Sequence, residues 1–256
     1  MFDWSAEQYG KFEKERTLPA VDLANAIVHD DVRKVIDIGC GIGNSTAVLA
    51  EKYPNAEIVG IDNSEDMLAA ARKNNPGIVF KKLDVEKELD KIDGHYDVIF
   101  SNACLQWIPN HPELLKGLFA LLNDRGVLAV QIPQQSKHPV HRIMRSIVET
   151  EAWCSKISFR RAYNNLTEQE YFDVLSELSD NFRIWEITYF FSMPSYQSIS
   201  EWYQGTGLRP YLAQLSSKDR EKFLCEFLKR VKETYPVQKS EKIIFKFPRL
   251  FFTVTK

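Results

Sequence analysis

The sequence predicts an α/β fold, a doubly wound, mostly parallel seven-stranded sheet carrying a helical cap. Three observations predict it. Two apolar strand-like runs, Val35-Ile36-Asp37-Ile38 and Ile58-Val59-Gly60-Ile61-Asp62, flank the glycine-rich turn Gly39-Cys40-Gly41-Ile42-Gly43 and the helical stretch after it. Strand-like and helical stretches then alternate up to residue 132, the pattern of a parallel sheet wound with crossover helices. Two further runs of β-formers, over residues 183–193 and 243–254, bring the strands to seven. A chain of 256 residues buries a full core as a single domain.

Taken in order, the first thirty residues carry Phe2, Trp4, Tyr9 and Phe12; Trp4 and Tyr9 either pack a loose terminus onto the domain or form a lid over the site. Pro19 favours a helix start, and Val21, Leu23, Ala24, Ile27 and Val28 recur at roughly helical spacing, so a helix leads into the sheet. After the glycine turn, Asn44 or Ser45 is placed to cap a helix reaching Glu51. Ser64 opens the next helix, which ends at the turn Asn74-Asn75-Pro76-Gly77, and Ile78-Val79-Phe80 is a short third strand leading to Asp84. Residues 96–102 form the fourth strand, apolar on both sides as a central parallel strand should be. A helix over 112–122, a turn at Asn123-Asp124-Arg125-Gly126 and a strand over 126–132 follow. Beyond Pro133 the character shifts to helices and polar loops, read as cap elements over 133–180 and 195–235 around a core at 34–132, with a lid or helix at 1–30.

The chain's overall composition excludes several classes. A formal charge of −2 leaves no overall basic footprint for nucleic acid, with room only for a local patch, and no apolar run is long enough to span a bilayer. The start of the chain lacks the pattern of a signal peptide. Cys40, Cys104, Cys154 and Cys225 are far apart, with no metal-ligand spacing, so a reduced, cytoplasmic protein without a metal is expected.

The chemistry concentrates at the first turn. A backbone that bends sharply and lies against a ligand has no room for side chains, hence the glycines. Asp62 ends the second strand about twenty residues on, where a carboxylate can accept from the two hydroxyls of a ribose. Asp37 lies inside the first strand, where a dinucleotide-binding strand would be apolar, so it suits a ligand with a positive group. The register departs from G-x-G-x-x-G, because Asn44 stands where a small residue should pack, and matches G-x-G-x-G instead. A turn of this kind with both acids resembles the class I methyltransferases, which bind S-adenosylmethionine and release S-adenosylhomocysteine. The resemblance implies Asp37 near the methionine ammonium, Asp62 on the ribose and Asp84 near the adenine amino group, Asp84 being otherwise a solvated loop acid. It also makes the last two strands an antiparallel pair at the sheet edge. The loop after the fourth strand lies at the carboxyl ends of the strands, so Asn102, Gln106 and Trp107 project toward the reacting end of the cofactor.

The resemblance narrows when Asp3-Trp4 with Tyr9, Glu15-Arg16 with Pro19-Ala20, Asn44-Ser45-Thr46, Leu105-Gln106-Trp107, Thr206-Gly207-Leu208-Arg209-Pro210 and Phe247-Pro248-Arg249-Leu250-Phe251 are added. Together these segments are similar to the bacterial trans-aconitate 2-methyltransferases from end to end, weakening over 133–170. That family implies esterification of a carboxylate of a small polycarboxylic acid. A carboxylate has an ordinary pKa near 4 and is already an anion at pH 7, so no general base is needed. Gln106 and Trp107 are then orienting residues, with Trp107 as core packing the alternative. The cofactor set is Asp37, Gly39, Gly41, Asn44, Asp62, Asn63, Met67, Asp84 and Asn102. The substrate set is Trp4, Tyr9, Arg16, Arg209 and Arg249; the arginines are otherwise a surface ion pair, a loop-fixing contact and a strand-edge charge. Among the histidines only His111 adjoins the active loop, and a plain surface role is expected for it. The implied partner is a small-molecule carboxylate, with no nucleic acid or membrane, and the protein a monomer or weak homodimer. Rival readings are methylation of another small acid and a non-catalytic S-adenosylmethionine-binding protein.

Overall fold

The structure is a computed structural model that describes residues 13–158 and 164–256, with nothing stated of the side chains of residues 13, 14 and 16. The expectations for Trp4 and Tyr9, and for the Arg16 side chain, lie outside the described residues. A helix, α1 (Glu13–Asn25), precedes β1 (Lys34–Ile38), α2 (Asn44–Lys52), β2 (Glu57–Asp62), α3 (Glu65–Asn74), β3 (Val79–Lys82), the single turn α4 (Val85–Glu88) and β4 (Tyr96–Asn102). Then come α5 (His111–Ala120), β5 (Leu122–Pro133), α6 (Pro139–Val148), α7 (Glu151–Cys154), α8 (Glu168–Leu178) and β6 (Phe182–Met193). Helices α9 (Tyr196–Gln204), α10 (Arg209–Leu212) and α11 (Ser217–Thr234) separate β6 from β7 (Ile243–Thr255).

The seven strands make one sheet in the order β3-β2-β1-β4-β5-β7-β6. The first five run parallel, and β7 inserts antiparallel between β5 and β6. The expected α/β architecture with a closing antiparallel pair is the one found. Among the described residues no helix is long and apolar enough to cross a membrane.

Side chains on a strand alternate between faces, and here the alternation sorts the core into two layers. Val35, Val98, Phe100, Val127, Ala129, Phe247 and Phe251 pack with Leu23 of α1, Leu49 of α2, Met144 of α6, Trp202 of α9 and Phe223 of α11. Ile36, Ile99, Leu128, Val130, Ile132, Leu250 and Phe252 pack on the other side with Leu115 and Leu118 of α5 and Tyr171 and Leu175 of α8. By the same period of two, Asp37, Asn102, Gln131 and Arg249 all fall on the first face, toward the carboxyl ends of β1, β4 and β5. Four polar side chains therefore interrupt one apolar layer at the end of the sheet where ligands bind in such folds.

Four local expectations are corrected. Pro19 lies within α1 rather than at its start. The N-cap of α2 is Gly43, at φ 90°, with no side-chain cap; Asn44 is the first helical residue and the Ser45 hydroxyl is turned to Asp37 instead. The expected turn at residues 123–126 is absorbed into β5 as an irregularity, where Tyr96 pairs with Leu122 but Val98 with Val127, and Arg125 takes φ 66°. A bulge lets the strand continue while the chain makes the local bend that the Asn-Asp-Arg-Gly composition calls for. His111, expected at the surface, is 1% exposed. Its Nδ1 lies 2.5 Å from the Tyr171 hydroxyl and its Nε2 2.8 Å from the Leu105 carbonyl. A carbonyl only accepts, so Nε2 carries the proton, and burial pushes the ring's pKa down. His111 is a neutral clasp between α5, α8 and the loop after β4.

Candidate active site

Two neighbouring regions make up the site, both at the carboxyl ends of the parallel strands. The first is the turn between β1 and α2. Gly39 and Gly41 have φ of 71° and 55°, the left-handed region that favours glycine. A Cβ on Gly39 would sit 2.2 Å from Cys104 Sγ, so this bend packs directly on the loop after β4. A Cβ on Gly41 would meet nothing within 4 Å among the described residues, so the turn is open on that side as far as they extend. The Gly41 N–H donates to Asp62 Oδ2 and the Ser64 N–H to Asp62 Oδ1, both at 2.9 Å. These bonds aim the carboxylate and oppose the burial that raises its pKa.

Asp37 is wholly buried. Its Oδ2 accepts from the Ser45 and Thr46 hydroxyls, each at 2.7 Å, which ties the first turn of α2 to β1. Its Oδ1 is buried with no partner among the described residues. Burial pushes its pKa up to about 6, opposed by the two hydroxyls and assisted by the nearby charge of Asp62. A half-satisfied carboxylate beside an open glycine turn fits a ligand bearing a cation. Ser64 caps α3, accepting from the Met67 N–H at 3.4 Å, and Met67 is buried, whereas Asn63 is exposed. Asn44 is half-buried. Asp84 caps α4 through the Glu86 N–H and pairs with Lys87 at 3.2 Å, so it sits near the site with its carboxylate already engaged.

The second region is a cavity lined by Asn102, Gln106, Trp107, Gln131, Gln134, His138, Tyr203, Thr206, Phe247 and Arg249, among others. The loop after β4 forms one wall. Ala103 takes φ 57° there, an uncommon conformation for a residue with a side chain, and two hydrogen bonds hold it: its N–H donates to the Gln131 carbonyl at 3.0 Å and its carbonyl accepts from Gln106 Nε2 at 2.6 Å. Gln106 is thus buried as a brace of this loop, with Trp107 beside it. Arg249 lines the same cavity. It is 7% exposed, its guanidinium lies 3.6 Å from the centre of the Phe247 ring, and its strand runs between β5 and β6, so it is not a strand-edge charge.

His138, the N-cap of α6, and Tyr203 of α9 complete the lining. The Val140 N–H donates to His138 Nδ1 at 3.2 Å, which leaves the proton on Nε2, 3.1 Å from the Tyr203 hydroxyl. Burial, with the nearby charges of His141, Arg249 and Arg142, holds this ring's pKa well below its ordinary value. Arg209 is half-buried at the start of α10 and does not line the cavity, though Thr206 and Gly207 just before it do.

The structure therefore gathers Asn102, Gln106, Trp107 and Arg249 around one cavity and Asp37, Gly39, Gly41 and Asp62 around one turn. The sequence reading missed Gln131, Gln134, His138, Trp202 and Tyr203. Gln131 had a readable signal, a carboxamide inside the apolar run Val127-Leu128-Ala129-Val130-Gln131-Ile132. His138 had none, since its place depends on how α6 packs. Among the described residues no cluster of His, Cys, Asp and Glu is arranged to hold a metal ion.

The fold is that of a methyltransferase domain, and a family model described by that name matches residues 29–182. The trans-aconitate 2-methyltransferase of Rhodopseudomonas palustris (strain BisA53) is 39% identical over 258 residues, covering 100% of both chains. That of Escherichia coli (strain SE11) is 40% identical over 256 residues, covering 100% of this chain and 99% of the relative. The chain belongs to the trans-aconitate 2-methyltransferase family. Among solved structures, phosphoethanolamine N-methyltransferase 2 of Haemonchus contortus, determined with S-adenosyl-L-methionine, shares the fold. Its TM-score is 0.58 at 14% identity, covering 97% of this chain and 56% of that one.

Proposed function

We propose that this methyltransferase transfers a methyl group from S-adenosylmethionine to a carboxylate of trans-aconitate, giving a monomethyl ester and S-adenosylhomocysteine. The observation that carries this reading is Arg249, a buried guanidinium on the wall of a cavity that faces the loop after β4. A guanidinium fork on the wall of a cavity matches the geometry of a carboxylate.

Asp37, Gly39, Gly41, Asn44, Asp62, Asn63, Met67, Asp84 and Asn102 would hold the cofactor, which supplies a methyl group on a positively charged sulfur. Asp37 offers its unpartnered Oδ1 to the ammonium, and Asp62, aimed by the Gly41 and Ser64 N–H groups, offers its oxygens to the ribose. The acid enters as an anion, so the chain's part is to place an oxygen and exclude water rather than to remove a proton. Arg249 takes a carboxylate other than the reacting one. Gln106 holds the loop, and Trp107 closes the wall. The neutral His138 donates to the Tyr203 hydroxyl and so sets the direction of its own O–H. The proposed working unit is a monomer or weak homodimer.

A second reading, methylation of a more apolar acid, draws on Trp107, Trp202, Tyr203 and Phe247 in the same wall. Transfer of label from S-adenosylmethionine to a panel of tricarboxylates, dicarboxylates, apolar acids and phenols separates the two. Turnover concentrated on the polyacids supports the proposal, and turnover on the apolar acids alone defeats it.

A further inference from the structure

Buried carboxamides stand side by side at the carboxyl ends of β4 and β5. Gln131 is 0% exposed, lines the cavity, and has no hydrogen-bond partner among the described residues at either end of its carboxamide, Nε2 or Oε1. Its register partners explain the position. On one side it faces Asn102 of β4, whose Oδ1 is also buried without a partner among the described residues, and on the other Phe251 of β7, two residues from Arg249. The main chain of Gln131 is satisfied and fixed, since its carbonyl accepts from the Ala103 N–H at 3.0 Å within the ladder that continues β4 into the active loop.

Burying a primary amide with neither end bonded is unfavourable, and native proteins seldom do it without a reason. An apolar side chain of the same length would pack at this position between Asn102 and Phe251 without that cost. The polar side chain lies on the cavity that also holds Arg249, where a carboxyl group can meet it. A carboxyl oxygen accepts from Nε2–H, and a carboxyl that keeps its proton also donates to Oε1, closing a ring of two hydrogen bonds.

We infer that Gln131 is a specificity-determining residue whose carboxamide binds a carboxyl group of the substrate, alongside the carboxylate taken by Arg249. The inference rests on the proposed methylation of a polycarboxylic acid. It divides the cavity into a cationic position for one carboxylate and a neutral, hydrogen-bonding position for another, which sets polyacids apart from monoacids.

Gln131→Leu and Gln131→Glu test it, measured for thermal unfolding without ligands and for the KM of the acid and of S-adenosylmethionine separately. Gln131→Leu should unfold at the same temperature as the natural chain or higher, because its lost amide had no protein partner. It should raise the KM for the polyacid about tenfold, the loss of one hydrogen bond to a charged or strongly polar group, while the KM for the cofactor stays within twofold. Gln131→Glu, of equal size but like in charge to the acid, should raise the acid KM further. A Leu variant that unfolds several degrees lower, fails to fold, or raises both KM values alike would overturn the inference in favour of a structural role; so would an unchanged acid KM. If the natural chain methylates none of the polyacids, the underlying reading fails, an outcome distinct from those of the variants.

Discussion

Replacing Arg249 with Met keeps the length of the side chain and its contact with Phe247 while removing the charge. In the structure the guanidinium is 7% exposed and lies on the cavity wall, so a carboxylate bound there is largely out of water. A hydrogen bond to a charged group contributes about 1.5–3 kcal/mol net, and a pair of unit charges 4 Å apart near a protein surface about 4 kcal/mol before desolvation is subtracted. A loss of about 2–3 kcal/mol follows, or roughly 30–150-fold in kcat/KM at about 1.4 kcal/mol per tenfold. Methyl transfer consumes the negative charge of the reacting oxygen, so a cation paired with that oxygen would hold the ground state back. A cation on a non-reacting carboxylate binds ground and transition states equally, and its loss appears in KM with kcat nearly unchanged. Steady-state kinetics with the acid and the cofactor varied in turn reads this directly. An acid KM that rises less than about threefold, or a cofactor KM that rises in step with it, would refute the reasoning.

Three further outcomes follow from the same geometry. Asp62→Ala removes the acceptor for the Gly41 and Ser64 N–H groups as well as for a ribose, so cofactor affinity by calorimetry should fall at least about tenfold; unchanged affinity would end the ribose role. Gly39→Ala places a Cβ 2.2 Å from Cys104 Sγ at φ 71°. It should cost about 2–5 kcal/mol, or roughly 5–15 °C in Tm for a chain of this size, and Cys104→Gly in the same chain should restore part of it. Asp37 has its pKa raised from 3.8 to about 6, so the folded state holds its proton more tightly than the unfolded one. Its contribution to stability is present below about pH 4 and is lost as pH rises to about 6, so Asp37→Asn should stabilise the ligand-free protein near pH 7 by up to about 3 kcal/mol. Denaturant titrations that show the same difference at pH 3.5 and pH 7 would contradict the burial argument. The same titration predicts that cofactor affinity in the natural chain weakens as pH falls below about 6, where the carboxylate takes up its proton.

Much of the fold was legible because it is written in local pattern. The central strands are unbroken apolar runs, and their alternation assigns faces without any tertiary knowledge, which is why Asp37 stood out in β1. What was misplaced depends on packing at longer range. The Ser45 hydroxyl is drawn from capping α2 to Asp37, eight residues back. His111 becomes a buried clasp only because α8, sixty residues on, brings Tyr171 to it. Arg249 was placed in the substrate set with a strand-edge charge as its alternative, because nothing local says that β7 inserts between β5 and β6. Gln131 is the instructive omission: it breaks an apolar run in a central strand as Asp37 does, but without an adjoining glycine turn it offered no motif to name. Arg209 shows the converse, a residue within a matching segment whose neighbours Thr206 and Gly207 reach the cavity while it does not. Arg209→Ala is accordingly expected to change the acid KM far less than Arg249→Met.

In the proposed reaction a buried cation and a ring of polar groups hold a polyacid while one of its carboxylates is esterified. Mass spectrometry of the product formed from S-adenosylmethionine and trans-aconitate tests that most directly. A single added methyl group, released again by mild alkali as an ester must be, is the predicted result. A methyl group that survives alkali, or no methylated acid under conditions where the cofactor demonstrably binds, would contradict it.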